Sequence, residues 1–263
     1  MNLKKSKIER VKWIIAAVVI IALYVWSFSG IPLTKIQGSA GQVSVSIFNG
    51  IIHPDWAYVY NGSGEDMVSE LVITLAIAFL GTIISAVLSV PFAFFAAQTK
   101  NSMFHPRSTI GKFLLTAIRA FPEVVLAIMF IKAVGPGSFA GVLAIGVHSV
   151  GMLGKLFSEA IEEMDRSAEV AIEADGGTKW QIFRIATMPQ ILPELVSYTL
   201  YRFEISVRSA SILGLVGAGG IGTPMMFALQ TRDWSKTGII LLGIVAMVLA
   251  IDSLSTYLRR KLI

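Results

Sequence analysis

Eight ionisable side chains lie within or at the ends of long apolar runs in this chain: Arg119, Glu123, Lys132, Glu194, Arg202, Glu204, Arg208 and Asp252. An ionised group near the centre of a bilayer costs at least ~2.5–3.5 kcal/mol, so each needs a partner, a cavity or a nearby headgroup layer. Arg119 and Glu123 are four residues apart, which on one continuous helix stacks them as a pair. Glu204 and Arg208 repeat that spacing, with Arg202 about 160° round the helix from Glu204. Lys132, Glu194 and Asp252 fall near run ends, where snorkelling satisfies them. For Arg119, Arg202 and Arg208 two readings stand side by side. One is internal salt bridges with Glu123 and Glu204 that fix helix packing; the other is a basic lining for an anion pathway, since guanidinium donors suit oxyanions.

Other chemistry finds little support. With no cysteine there is no disulfide or thiolate metal site, and His53, His105 and His148 are too scattered to form a ligand cluster. Neither a metal nor a bound cofactor is expected, and no catalytic residue is assigned, because H-E-x-x-H, G-x-S-x-G and paired-Asp motifs do not occur. No G-x-x-x-x-G-K-S/T occurs either: Gly111-Lys112 and Gly154-Lys155 are followed by Phe113 and Leu156. The chain is therefore not expected to hydrolyse ATP through a P-loop. Gly217, Gly219 and Gly222 satisfy G-x-G-x-x-G literally, but a dinucleotide site needs a preceding strand within a βαβ unit and a downstream acid. Here the string follows an apolar run, where glycines let the backbone bend or pack closely.

The elements that must position these residues are membrane helices. The chain is 54% hydrophobic and 15% charged, against roughly 25% charged in ordinary soluble domains. About 20 apolar residues span a bilayer, and six runs qualify: 11–28, 68–97, 114–134, 139–157, 191–216 and 237–254. The expected class is an all-α polytopic membrane protein. The net charge of +5 gathers in short flanks of these runs, which is a topology signal rather than a nucleic-acid surface. Lys and Arg concentrate at both termini, at 100–112 and at 155–184, whereas the opposite side carries Lys35, Arg232 and Lys236. Both termini are thus expected in the cytoplasm. The first run is read as a retained helix rather than a cleaved signal, because Trp13 and Trp26 flank it and no A-x-A site adjoins it. The organisation reads as a tail and first helix over 1–28, an outer loop over 29–67 with no element claimed, a membrane domain over 68–256, and a cytoplasmic tail over 257–263.

One polar tract, 158–190, interrupts the apolar pattern. It reads as two short helices joined at Asp175-Gly176-Gly177, since paired glycines supply a left-handed cap. Ile161, Met164, Ala168, Ala171 and Ile172 give the first helix an apolar stripe, and Trp180, Ile182, Phe183, Ile185 and Met188 are the apolar positions of the second. Pro189 and Pro193 mark the return to the membrane. Seven acids, including Glu169, Glu173 and Asp175, disfavour an anionic lipid surface and favour a protein partner.

Aligned on Gly176, the tract resembles the cytoplasmic coupling loop of bacterial ABC importer permeases, E-A-A-x3-G-x9-I-x-L-P. Its Leu-Pro falls on Met188-Pro189 and its paired alanines on Ala171-Ile172, with Ala174 inside the loop. The chain departs at Val170, where the motif has Glu and Glu169 stands one place early, and at Ala186, where the motif has Ile. More specific are PQILPELVSYTLYRFEISVRSASILGLVGAGGIG (189–222) and RAFPEVVLA (119–127), which resemble the permease of phosphonate-type ABC importers. The resemblance runs from about Val68 to the C-terminus. It implies a type I importer fold, a homodimer of permeases, a cytoplasmic ATPase pair using ATP and Mg, and an extracytoplasmic solute-binding protein. It also implies that Gly217, Gly219, Gly220 and Gly222 lie near an outward gate. The solute so implied is a phosphonate or a phosphite-like oxyanion; another small solute such as an amino acid is the alternative, with an embedded enzyme or a passive channel in other classes.

Overall fold

In lipid every backbone N–H and C=O must be satisfied within the chain, which favours helices. The computed structural model describes residues 3–29, 40–62, 64–98 and 106–262, and no strand occurs among the described residues. Lys35, Lys100 and His105 lie outside them. The helices are α1 Leu3–Ser29, α2 Ala40–Ile52, α3 Met67–Ala96, α4 Pro106–Ala120, α5 Glu123–Val134, α6 Ser138–Glu163, α7 Ser167–Ala174, α8 Lys179–Ile182, α9 Met188–Leu213, α10 Gly222–Thr231 and α11 Trp234–Leu262.

The chain divides into two units, Met1–Phe48 and Asn49–Ile263. The first holds α1, whose residues from Lys12 to Ser29 are all exposed, and most of α2. The stretch read as an outer loop without an element thus contains α2 and a short turn of helix at Trp56–Tyr58.

In the second unit α6 is the central post. It packs on α3, α4, α5 and α9 because small residues let backbones approach closely. Gly81 of α3 abuts Ile145, and Gly151 and Gly154 of α6 receive Leu115 of α4. One apolar core joins Ile77, Ala144, Ile145, Val207 and Leu213, and a second joins Ala93, Leu153, Phe157, Ile161, Ile191 and Leu195. A third ties Tyr58 and Met67 to Ile221, Ile239 and Ile240. Thr82 of α3 donates to Ser206 of α9 across a dry contact at 2.9 Å.

Among the described residues four helices are long and apolar enough to cross a membrane: α1, α3, α6 and α11. A fifth span is formed if α4 and α5, which meet at a 78° bend, count as one. The apolar run 114–134, read as one straight span, is therefore a broken pair, because Pro122 lacks the N–H that would continue α4. The remaining expected span, in α9, is a 26-residue helix whose Glu194, Arg202, Glu204 and Arg208 keep it out of the apolar class.

Asp66 caps α3. Its carboxylate accepts N–H bonds from Ser69 (2.9 Å), Asn61 (3.3 Å) and Gly62 (3.2 Å), which hold it below the usual carboxylate range. A folded-state value below the unfolded one, about 4, contributes stability above that pH and loses it as pH falls through the folded value. The thermal midpoint is expected to fall under acid conditions below about pH 4, and Asp66→Asn should lower the neutral midpoint and flatten that acid dependence. An unchanged acid profile in the variant would rule this out.

Candidate translocation and coupling sites

α9 carries its charges on two faces, and the structure uses them differently. Arg202 faces α5 and α6 with its side chain 3% exposed. It pairs with Glu123 (3.1 Å), donates from Nε to Ser149 (2.7 Å), and lies 3.6 Å from the Met152 sulfur. Ser209, two turns along α9, donates to the other oxygen of Glu123 at 2.8 Å. Both carboxylate oxygens and most of the guanidinium are thus occupied in a water-poor pocket. On the opposite face Glu204 receives Arg208 (2.6 Å) and Arg259 of α11 (2.9 Å), and Arg208 also reaches Asp252 (3.0 Å). Two cations and two anions cancel there.

The expected pairing of Arg119 with Glu123 does not form. Four-residue spacing brings side chains together only along an unbroken helix. The bend at Phe121-Pro122 separates the two, and Glu123, first residue of α5, turns to Arg202 instead. Arg119 is exposed and has no carboxylate within salt-bridge range among the described residues. The Phe121 carbonyl freed by the bend meets the His148 ring at Nδ1, 3.1 Å away. Sequence reasoning missed His148, Ser149, Ser209 and Arg259 as members of these clusters. Their partners lie 27 to 86 residues away in the chain, beyond the reach of any spacing rule.

The polar tract folds as two short helices, α7 and α8, with Asp175, Gly176 and Gly177 between them. Gly176 adopts φ +80°, the left-handed conformation that ends α7 with little strain only for glycine. Thr178 and Gln181 then form a reciprocal capping box that starts α8. Two details differ from the sequence reading. α6 continues to Glu163, so Ile161 is buried in that helix and Met164 packs beside it; these two do not extend the face of α7. Pro189 does not interrupt the chain either, since the wide helical turn Phe183–Thr187 runs straight into α9 just before it.

Glu169 accepts a hydrogen bond from Thr187 at 2.6 Å, tying α7 to the start of α9. Asp165 accepts the Ser167 N–H and hydroxyl, which hold its carboxyl below the usual range. Phe183 stacks on Trp180 and meets Phe94 of α3 edge-on, with centroids 5.6 and 5.7 Å apart. Outward, Val170, Trp180 and Ile185 remain 62%, 67% and 62% exposed, an apolar surface among exposed Ala171, Glu173, Ala174, Asp175, Gly176 and Pro189; Met188 is half-buried.

At the other end of α9, Gly217, Gly219 and Gly220 all have positive φ and build the tight turn into α10. Gly217 accepts the Gly137 N–H (3.0 Å), and Ile221 donates to Thr74 Oγ1 (2.8 Å), clamping the turn to α6 and α3. Gly222 lies against the backbone of Ser211 and Gly214. The string has helices on both sides, not the strand a dinucleotide fingerprint requires.

Residues 89–263 match the family of the binding-protein-dependent transport system inner membrane component. The phosphite transport system permease protein PtxC of Stutzerimonas stutzeri is 41% identical over 194 residues, 73% of this chain and 70% of that protein. The putative phosphite transport system permease protein HtxC of the same organism is 34% identical over 98% of this chain and 90% of its own length. Among solved structures, a chain of the MetNI methionine ABC transporter in an inward-facing conformation superposes with a TM-score of 0.65 at 20% identity, covering 75% of this chain and 96% of that one. The fold is that of a type I ABC importer permease, and the chain belongs to the binding-protein-dependent transport system inner membrane components.

Proposed function

We propose that this chain is the permease subunit of an ATP-driven importer of phosphonate or a phosphite-like phosphorus oxyanion. Identity of 41% across 70% of a phosphite permease carries the reading of the solute. In this reading both termini are cytoplasmic, residues 68–256 form the transport domain, and two copies enclose the route. An extracytoplasmic binding protein delivers the solute. A separate ATPase pair, which uses ATP and Mg, docks on the 158–190 loop. The exposed Val170, Trp180 and Ile185 on a compact pair of helices support that docking, because fully desolvated aromatic anchors dominate protein interfaces. The glycine turn after α9 serves as the outward gate.

The deciding experiment is ATPase activity of the full transporter in lipid discs with its binding protein present. Methylphosphonate, phosphite, phosphate and methionine are added in turn. Stimulation by phosphonate or phosphite supports the reading; stimulation by methionine alone rejects the solute, and absence of any associated ATPase rejects the function. Trp180→Ala should weaken capture of the ATPase by about 2 kcal/mol or more, roughly thirtyfold in Kd, with only a small fall in thermal midpoint because the largely exposed ring loses little beyond its stacking on Phe183. Normal capture by that variant would remove α8 from the interface.

A further inference from the structure

α4 presents three distinct faces. Ser108, Gly111 and Leu115 are buried, with Gly111 against Ala96 of α3 and Leu115 under Gly151 and Gly154 of α6. Ile110, Phe113 and Leu114 are 54%, 70% and 46% exposed and form an apolar outer face. Between them runs a third face of Thr109, Lys112, Thr116 and Arg119, which at 100° per residue falls within about 80° of arc. Thr109, Thr116 and Arg119 are exposed, and the Lys112 side chain is 42% exposed. The ribbon rises about 15 Å, half of a ~30 Å hydrocarbon core.

Its foot is fixed beside the polar tract, where Lys112 pairs with Glu162 of α6 at 2.9 Å. Its head is Arg119, one turn before the 78° bend. A guanidinium with no acid beside it does not face lipid, and irregular backbone at membrane depth persists only where it is buried in protein or lines a water-filled cavity. Arg202 and Arg208 are each engaged by carboxylates. Of the three arginines first considered for an anion route, Arg119 is the one with no carboxylate partner among the described residues.

We infer that the Thr109–Lys112–Thr116–Arg119 face of α4 lines an aqueous half-channel, and that Arg119 at its head is the contact for the oxyanion in transit. The inference rests on the import reading above for the identity of the anion. A guanidinium stays ionised in any environment and offers several donors to an oxyanion, whereas the Thr116 hydroxyl already donates to the Lys112 carbonyl at 2.7 Å and leaves the anion to Arg119.

This chain has no cysteine, so it adds no labelling background of its own, and the transporter without an introduced cysteine is the blank. In the full transporter in proteoliposomes, Thr109→Cys and Thr116→Cys should react with a charged methanethiosulfonate more than about tenfold faster than Ile110→Cys and Leu114→Cys, because only a hydrated thiol ionises readily. Phosphite or methylphosphonate should slow labelling at Thr116→Cys, and adding Arg119→Gln should abolish that protection while Arg119→Lys keeps part of it. Equal labelling of the two faces overturns the half-channel. Labelling without protection, by a solute that does stimulate the ATPase, overturns the role of Arg119. So does dissociation of two copies by Arg119→Gln, which would make it an ion-pair partner across a dimer. If none of these solutes stimulates the ATPase, the solute reading fails, and the labelling contrast still decides the half-channel.

Discussion

Glu123→Ala is expected to destabilise the protein by about 3–5 kcal/mol, since it strands the buried Arg202 charge without its carboxylate. Ser149 and Met152 remain near the guanidinium, but neither carries a countercharge. The combination Glu123→Leu with Arg202→Met should recover most of the loss, because an apolar pair of similar volume removes both desolvation penalties together. Arg119→Ala, by contrast, should leave the thermal midpoint unchanged and reduce uptake. Measured side by side in detergent, these variants separate packing from passage. A Glu123→Ala midpoint equal to that of the native chain would show that the Arg202 pocket is wetter than its 3% side-chain exposure indicates.

Gly220→Val should cost about 2–5 kcal/mol. Its φ of +76° carries a penalty of roughly 1–2 kcal/mol for any residue with a Cβ. The added atoms meet the Thr74 side chain, adding about 1–3 kcal/mol of overpacking and displacing the hydroxyl that holds the Ile221 N–H. Gly62→Ala is the matched control, because Gly62 has φ +71° with open space around it and should show the backbone penalty alone, roughly 1–2 kcal/mol. Equal midpoints for the two variants would mean that α3 does not brace the glycine turn.

Much of the architecture follows from local pattern. Apolar length alone marks α1, α3, α6 and α11, and Gly176-Gly177 beside Thr178 announces a helix stop followed by a start. The misreadings have a common origin in tertiary geometry. Hydropathy averages across Phe121-Pro122 and cannot register a bend, so Arg119 and Glu123 look like neighbours on one helix. Once the bend turns α5 away, Glu123 meets an arginine 79 residues later. Likewise α9 looks like a membrane span with misplaced charges until α5, α6 and α11 are seen to supply their partners. α2 is not legible in the sequence, because a 13-residue segment of mixed Ser, Val and Gly has no decisive period.

α8, the wide turn at Phe183–Thr187 and α9 form helical backbone without a break from Lys179 to Leu213. Thirty-five residues at 1.5 Å each follow a helical path about 50 Å long, with the exposed Trp180 near one end and the glycine turn at the other. A tilt of about 5° around its midpoint displaces the two ends by about 2 Å in opposite senses, a simple consequence of that length. In the importer reading, a push on the coupling loop would reach the glycine turn along one continuous stretch of backbone.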